Sequence, residues 1–389
     1  MVCEYGEERD YLPKNFMIVF LTQYYRGLGH CMRTKFIAEE VAKTHDVLVV
    51  DQLFDPPISY DGCERNSFLK AYIPADIKNI FRFMMSPELV TLRKKEWNKI
   101  LDTKDVRLII CEGFPFCRHQ FSHEYFYFFE EAKKRGIKII ISARDFPWDE
   151  PHQEALQDWV AHTQNLVCKY YAEAVLIHGD ENYLPLISDR VRMNNPQQVI
   201  EDLKEKIIYT GYVCNPKIQT HKKQNNNIYV STGLNKEEGV LIFKEVSKIA
   251  SKFPNYNFIM PIANRYIKDT QAKTKGNVTL VPFINNFYKH VQSCALYITY
   301  GGYNSTMEIL KARIPAIIIP RTDGQKMEQF IRSYALEPLD IFKVCSKSEF
   351  FKIPILIKQI LNNSTFPNKH EINLEGVKNS ANVIKEIYN

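Results

Sequence analysis

The stretch that most restricts the fold is an apolar run over residues 295–299 that stops at two glycines. Its continuation, Tyr300-Gly-Gly-Tyr-Asn-Ser-Thr-Met-Glu308, has the composition of a helix start, with Asn304 or Ser305 available as the cap. A strand that ends on glycines and hands the chain to a helix N-terminus makes an anion cradle. Gly301 and Gly302 place no side chain between the backbone N–H groups and a ligand, which suits a diphosphate. Glu308 follows Asn304 by one helical turn, and a carboxylate there can hold a pair of ribose hydroxyls. The same pattern also describes a plain glycine turn that packs a helix on a sheet, and the segment alone leaves both readings open.

Strand-sized apolar runs at 16–21, 46–50, 106–111 and 136–142, and again at 228–231, 258–262, 278–281, 295–299 and 316–319, alternate with helix-forming stretches. That alternation predicts parallel sheets, with ligands bound beyond the strand C-terminal ends. The first run leads to Gly27-Leu-Gly29-His30-Cys-Met-Arg33, again glycines ahead of a helix, expected over residues 30–43. His30, a side chain that titrates near neutral pH by type, could act as general base on an acceptor hydroxyl or on water, or could merely cap the helix. Glu112 and Asp145 stand at two further strand ends, as alternative proton acceptors or as loop caps. Residues 56–75 read as an irregular connection and residues 77–101 as one helix. In it, Phe83, Met84, Leu92 and Trp97 lie among Arg82, Arg93, Lys94, Lys95 and Lys99. Packing on the core is its first reading, and contact with an anionic membrane surface the second. His119 and His123 sit at helical spacing but have no third ligand pattern beside them, so no metal site is expected.

A chain of 389 residues can build two domains, and 45% hydrophobic with 25% charged residues is ordinary for a globular protein. The apolar runs are too short to span a bilayer, and Glu4, Glu7, Glu8 and Asp10 give the start the wrong charge for a signal peptide. Nine cysteines, an odd number without a CxxC pair, argue against a disulfide framework or a structural zinc and for a reducing, cytoplasmic setting. The net charge of +6 permits an anionic partner such as a nucleotide sugar, an acidic lipid surface or nucleic acid.

Several phrases together resemble the MurG-like glycosyltransferases of the GT-B fold, and most nearly their uncharacterised "predicted glycosyltransferase" branch. They are Val281-Pro-Phe-Ile-Asn-Asn286, Tyr300 to Glu308, the run from Pro320 to Gln329, the GxGHxxR pattern at Gly27 to Arg33, Glu112-Gly-Phe-Pro-Phe116, the stretch from Tyr170 to Asp180, and Ile208-Tyr-Thr-Gly-Tyr-Val213. The resemblance implies an α/β chain of two Rossmann-like domains with parallel sheets facing across a cleft. An acceptor domain is expected over 1–213, a nucleotide-sugar donor domain over 214–371, and a terminal helix over 372–389 that packs back on the first domain. It places His30 near the reacting sugar, with Gly27, Gly29 and Arg33 in the acceptor or phosphate loop. Ser231, Thr232 and Gly233 then meet the donor diphosphate together with Gly301, Gly302, Asn304 and Ser305. Phe283 and Ile284 read the nucleobase edge, Glu308 the ribose, and Glu328 and Gln329 the donor sugar. The loop at Ser231 holds one glycine where relatives often have two or three.

The implied reaction is transfer from a UDP-sugar to an acceptor hydroxyl or amine, with inversion. There is no DxD sequence, so a metal-free mechanism without cofactor is expected, the leaving diphosphate being held by helix N-termini. A sugar-nucleotide hydrolase of the same fold and a non-catalytic nucleotide-sugar sensor are the alternatives. The acceptor is unnamed, and a peripheral place at the inner membrane face goes with a lipid acceptor.

Overall fold

The computed structural model describes residues 16–24, 28–68, 80–145, 154–184, 203–223, 225–231, 245–261, 274–281, 284, 286–321 and 327–389. Their strands form two sheets of seven. The first comprises β1 (Met17–Thr22), β2 (Val47–Asp51), β3 (Glu64–Ser67), β4 (Val106–Glu112), β5 (Lys138–Arg144), β6 (Ala172–His178) and β7 (Ile207–Tyr209), ordered β3-β2-β1-β4-β5-β6-β7. The second comprises β8 (Asn227–Ser231), β9 (Asn257–Pro261), β10 (Thr274–Lys275), β11 (Val278–Val281), β12 (Leu296–Thr299), β13 (Ala316–Ile318) and β14 (Lys343–Val344), ordered β10-β11-β9-β8-β12-β13-β14. In the second sheet every pairing is parallel except that of β10 with β11.

The described helices are α1 (Gly29–Val41), α2 (Ile80–Met84), α3 (Pro87–Thr103), α4 (Ser122–Lys134), α5 (Glu154–Tyr170), α6 (Phe287–Val291), α7 (Tyr303–Ala312), α8 (Met327–Leu336), α9 (Ile353–Asn362) and α10 (Gly376–Tyr388). Packing divides the chain into two compact units. One is Met1–Glu112, Gln120–Ile140 and Val383–Asn389, and the other is Gly113–His119 and Ile141–Asn382.

Parallel strands covered on both faces must be apolar throughout, because successive side chains point to opposite sides. The second sheet shows this directly. Tyr229, Tyr297 and Ile318 belong to one buried cluster, while their neighbours Ile228, Val230, Leu296, Ile298 and Ile317 belong to another. In the first unit, the α3–α4 pair is fixed by Trp97, whose Nε1 donates to the Phe128 carbonyl at 3.1 Å. Beside it the buried Arg93 guanidinium donates to the Glu124 carboxylate at 2.6 and 2.7 Å.

Three expectations are corrected here. Residues 64–67 are strand β3, not irregular connection; the sequence Glu-Arg-Asn-Ser has no apolar alternation, and its pairing with β2 is reinforced by Arg65 Nε donating to Asp51 at 3.0 Å. The helix expected over 77–101 is broken, since Pro87 lacks an N–H and starts α3 at its first position after Ser86. It buries Trp97, Ile100 and Leu101 but leaves Leu92 exposed, along with Phe83 and Met85 ahead of it. The cap of α7 is Gly302, which leaves Asn304 and Ser305 inside the first turn.

The polar stretch after Cys214 is held down. His221 N donates to the Ala312 carbonyl at 2.6 Å, Lys222 N to that of Gln292 at 3.1 Å, and Ile218 is buried in the Tyr229 cluster. Among the described residues all eight cysteines are free, no helix is long and apolar enough to cross a membrane, and no group of His, Cys, Asp and Glu could hold a metal ion.

Candidate active site

Both sheets reverse their strand order beside their first strand, β1 lying between β2 and β4, and β8 between β9 and β12. At such a switch point the loops leaving adjacent strands diverge, and the opening beyond the strand C-terminal ends is where α/β sheets bind ligands. In the first sheet the chain leaving β1 enters α1 at Gly29, so His30 is the second residue of that helix, and Glu112 is the last residue of the neighbouring β4.

The two side chains meet. His30 Nδ1 lies 3.0 Å from Glu112 Oε1 and 3.1 Å from Arg33 Nη2, and Arg33 Nη2 also donates to Glu112 Oε1. Glu112 and Arg33 are each 3% exposed, whereas His30 keeps 19% of its surface open. The partners ask for opposite tautomers. A proton on Nδ1 satisfies Glu112 and leaves a lone pair on Nε2; a proton on Nε2 lets Arg33 donate to Nδ1 and removes the base. A hydroxyl that donates to Nε2 selects the first state, and the buried carboxylate then stabilises the imidazolium formed on proton transfer.

At the second switch point β8 ends in Ser231 and β12 runs into Tyr300-Gly-Gly. Gly301 has φ +70°, and a Cβ there would come within 2.5 Å of Ile318 Cγ2, so both conformation and space require glycine. The turn leads through extended Gly302 into α7, which starts without a side-chain cap. The first N–H groups of the helix therefore have no intrahelical acceptor, the condition for anion binding. Ser231 Oγ bonds Thr299 Oγ1 at 2.8 Å and the Tyr297 hydroxyl at 3.0 Å, and Tyr297 donates to Ser305 Oγ at 3.4 Å. The sequence-predicted Ser231 and Ser305 are thus joined through one buried phenol.

Glu308, a turn further on, is half-buried on α7, and burial pushes its carboxyl up to about 7. Burial and then the Glu308 charge raise the Tyr297 phenol above its ordinary value. A carboxyl raised in the folded state favours the folded protein when protonated. Its contribution is full below about pH 4.3 and fades as pH rises through about 7. Glu308→Gln is therefore expected to stabilise the ligand-free protein at pH 8 by about 1–3 kcal/mol and hardly at all at pH 4, measured by urea unfolding at both values. An equal effect at both would show that the carboxylate is not desolvated.

On α8, Glu328 pairs with Arg144 at 3.5 Å, and Gln329 Oε1 accepts from Arg321 N at 3.3 Å. Ile284 is half-buried against the Tyr229 cluster. Gly27, Thr232, Gly233 and Phe283 lie outside the described residues.

Asp145 is corrected as a candidate base. Its Oδ2 and Oδ1 accept from Arg332 Nε at 2.5 Å and Nη2 at 2.9 Å, with both side chains fully buried. A carboxylate with both oxygens engaged by a guanidinium and closed off from solvent cannot reach an acceptor hydroxyl. Arg332, which sequence reading missed, also donates from Nη1 to the Gly301 carbonyl at 3.1 Å and lies 5.4 Å from the Tyr303 ring. Its position four residues after Glu328, on the same face of α8, was the available signal.

Residues 213–384 match the glycosyltransferase family 28 C-terminal domain. The fold of nearly the whole chain follows MurG of Acinetobacter baumannii, with 12% identity, 95% of this chain and 99% of that one covered, and a TM-score of 0.53. The chain has the GT-B fold. The same GT-B architecture is shared with the kitacinnamycin glycotransferase at 11% identity, 97% and 95% coverage and a TM-score of 0.61. It is shared too with Phytolacca americana UGT2 complexed with UDP-2-fluoro-glucose and pterostilbene, at 13% identity, 96% and 99% coverage and a TM-score of 0.54.

In sequence, 136 residues are 28% identical to a Caenorhabditis briggsae protein named as a candidate UDP-glucuronosyltransferase, ugt-47. That match takes in 32% of the GT-B chain and spans only 24% of the relative's length. The family 28 match covers Gly301, Gly302, Glu308, Glu328, Gln329 and Arg332 but stops short of His30, Glu112 and Asp145.

Proposed function

We propose that this MurG-like protein transfers a sugar from a nucleoside-diphosphate sugar, in the first instance a UDP-sugar, to an acceptor hydroxyl or amine, with inversion and without a bound metal. The observation that carries the reading is the Gly301–Gly302 turn, which opens α7 one turn ahead of a half-buried Glu308 with a raised pKa. The uncapped N–H groups of α7 and the positive end of its dipole stabilise the leaving diphosphate as negative charge develops on it. Glu308 accepts from the ribose hydroxyls, and Glu328 and Gln329 hold the sugar.

His30 Nε2 takes the acceptor proton while the acceptor attacks the anomeric carbon and the diphosphate leaves. A single displacement of this kind inverts that centre. Glu112 fixes the tautomer. The uracil assignment is supported by the C. briggsae relative, named for UDP-glucuronosyl transfer, and by the UDP-sugar bound to UGT2. Residues 1–213 are proposed as the acceptor domain and 214–371 as the donor domain.

A thermal-unfolding panel with UDP, TDP, GDP and ADP tests the donor half. A nucleotide present at about 100 times its Kd should add about 2.7 kcal/mol. Stabilisation by UDP above the other three supports the assignment. No shift with any of the four would mean that the Gly301 turn does not bind nucleoside diphosphates.

A further inference from the structure

Where the chain enters the second sheet, a different surface stands out by its charge. The segment after Cys214 leads into β8, and α6 leads into β12, so the two meet at the strand-start end of the sheet, away from Gly301 and Ser231 at the strand C-terminal ends. Between them is a cavity of 640 Å³ lined by Lys217, Lys222 and Lys289 together with Gln219, Gln292 and Ser293.

No carboxylate lines it, and the sequence explains why: neither residues 206–236 nor residues 270–307 contain an Asp or Glu. Lys217, Lys222 and Lys289 are exposed, and among the described residues no ion pair offsets their charge. Three lysines around one cavity give it a positive potential that attracts an anion.

The walls are fixed before any ligand arrives. Lys222 N donates to the Gln292 carbonyl at 3.1 Å, and Gln292 Nε2 donates back to the Gln219 carbonyl. His221 Nε2 is 2.8 Å from the Cys294 carbonyl, and Lys217 N donates to Asn215 Oδ1 at 2.9 Å. Amide and hydroxyl side chains supply hydrogen bonds beside the charges. None of the large apolar side chains exposed among the described residues lines the cavity, so a lipid surface would find nothing to insert against. A concave site in which every charged lining side chain is a lysine suits a compact multivalent anion.

We propose that the cleft of Lys217, Lys222 and Lys289 binds an oligophosphate group, at a site separate from that for the nucleotide sugar. The anion supplies the countercharge that the two acid-free segments lack, and the lysines act as point charges on its oxygens.

Calorimetric titration of the full chain with sodium tripolyphosphate, with and without saturating UDP, tests this. Binding is expected in both conditions and should weaken as salt rises, because exposed lysines are screened. The combined change Lys217→Glu, Lys222→Glu and Lys289→Glu should weaken it by at least about tenfold, since three attractive charges become repulsive. The unfolding midpoint without ligand and the response to UDP should stay as in the unaltered protein. Equal affinity in the altered protein, or loss of tripolyphosphate binding once UDP is present, would place the anion at the nucleotide site and overturn the proposal. So would absence of binding, or binding only to phosphatidylglycerol vesicles. A protein that ignores UDP yet binds tripolyphosphate through the three lysines would sink the nucleotide assignment and leave this one standing.

Discussion

Replacing His30 by alanine is expected to lower kcat by about 10²–10⁴-fold while leaving the affinity for UDP unchanged. The imidazole is held at the start of α1 by Glu112 and Arg33, and in the proposed mechanism a proton on Nδ1, directed at Glu112, leaves Nε2 as the base. Removing the ring takes away a proton acceptor needed only as the acceptor attacks, so the loss belongs in kcat rather than in donor binding. Glu112→Gln separates orientation from base: the ring remains, but an amide at Oε1 no longer requires a proton on Nδ1, and kcat should fall by less than in His30→Ala. The measurement is the initial rate of UDP release at saturating donor, beside the UDP-induced shift in unfolding midpoint. Turnover within a few-fold of the unaltered protein would place the base elsewhere. A parallel loss of UDP binding would make His30 a donor-site residue instead.

Asp145→Ala should cost about 3–5 kcal/mol of folding stability, the largest effect expected of any single change here. The substitution leaves the Arg332 guanidinium buried with its carboxylate partner gone. It also frees the group that donates to the Gly301 carbonyl, so the glycine turn ahead of α7 loses a support. Replacing both partners by apolar residues of similar volume, Asp145→Leu with Arg332→Met, removes the stranded charge and should recover most of the stability, because a buried pair gains little over good apolar packing. UDP binding should not be restored with it, since Arg332→Met removes the donor to the Gly301 carbonyl. Urea unfolding of the two single changes and the double change closes the cycle. A loss below about 1 kcal/mol for Asp145→Ala would mean that water reaches Arg332.

Much of this architecture was legible before any coordinates. Alternating apolar runs and helix-forming stretches announced parallel sheets, because a strand buried on both faces has to be apolar at every position, as Ile228 to Val230 and Leu296 to Ile298 are. Gly301 was readable because only glycine takes φ +70° where a Cβ would strike Ile318. Strand β3 was not, since an edge strand of Glu, Arg, Asn and Ser is exposed and carries no hydrophobic period.

The sequence by itself determined the periods and the turn chemistry: which runs become strands, where glycines end them, and that His30 and Glu308 stand near helix starts. These are local properties, decided within a few residues by sterics and burial. Only the tertiary structure decided partners. Glu112 reaches His30 across 82 residues, and Asp145 meets Arg332 across 187. Glu112 ends β4 and Asp145 directly follows β5, and nothing in their neighbours distinguishes the one that meets both an imidazole and a guanidinium from the one held by a guanidinium alone. Their roles follow from the order in which strands add to the sheet, which is fixed by how whole faces pack together and leaves no trace at either residue.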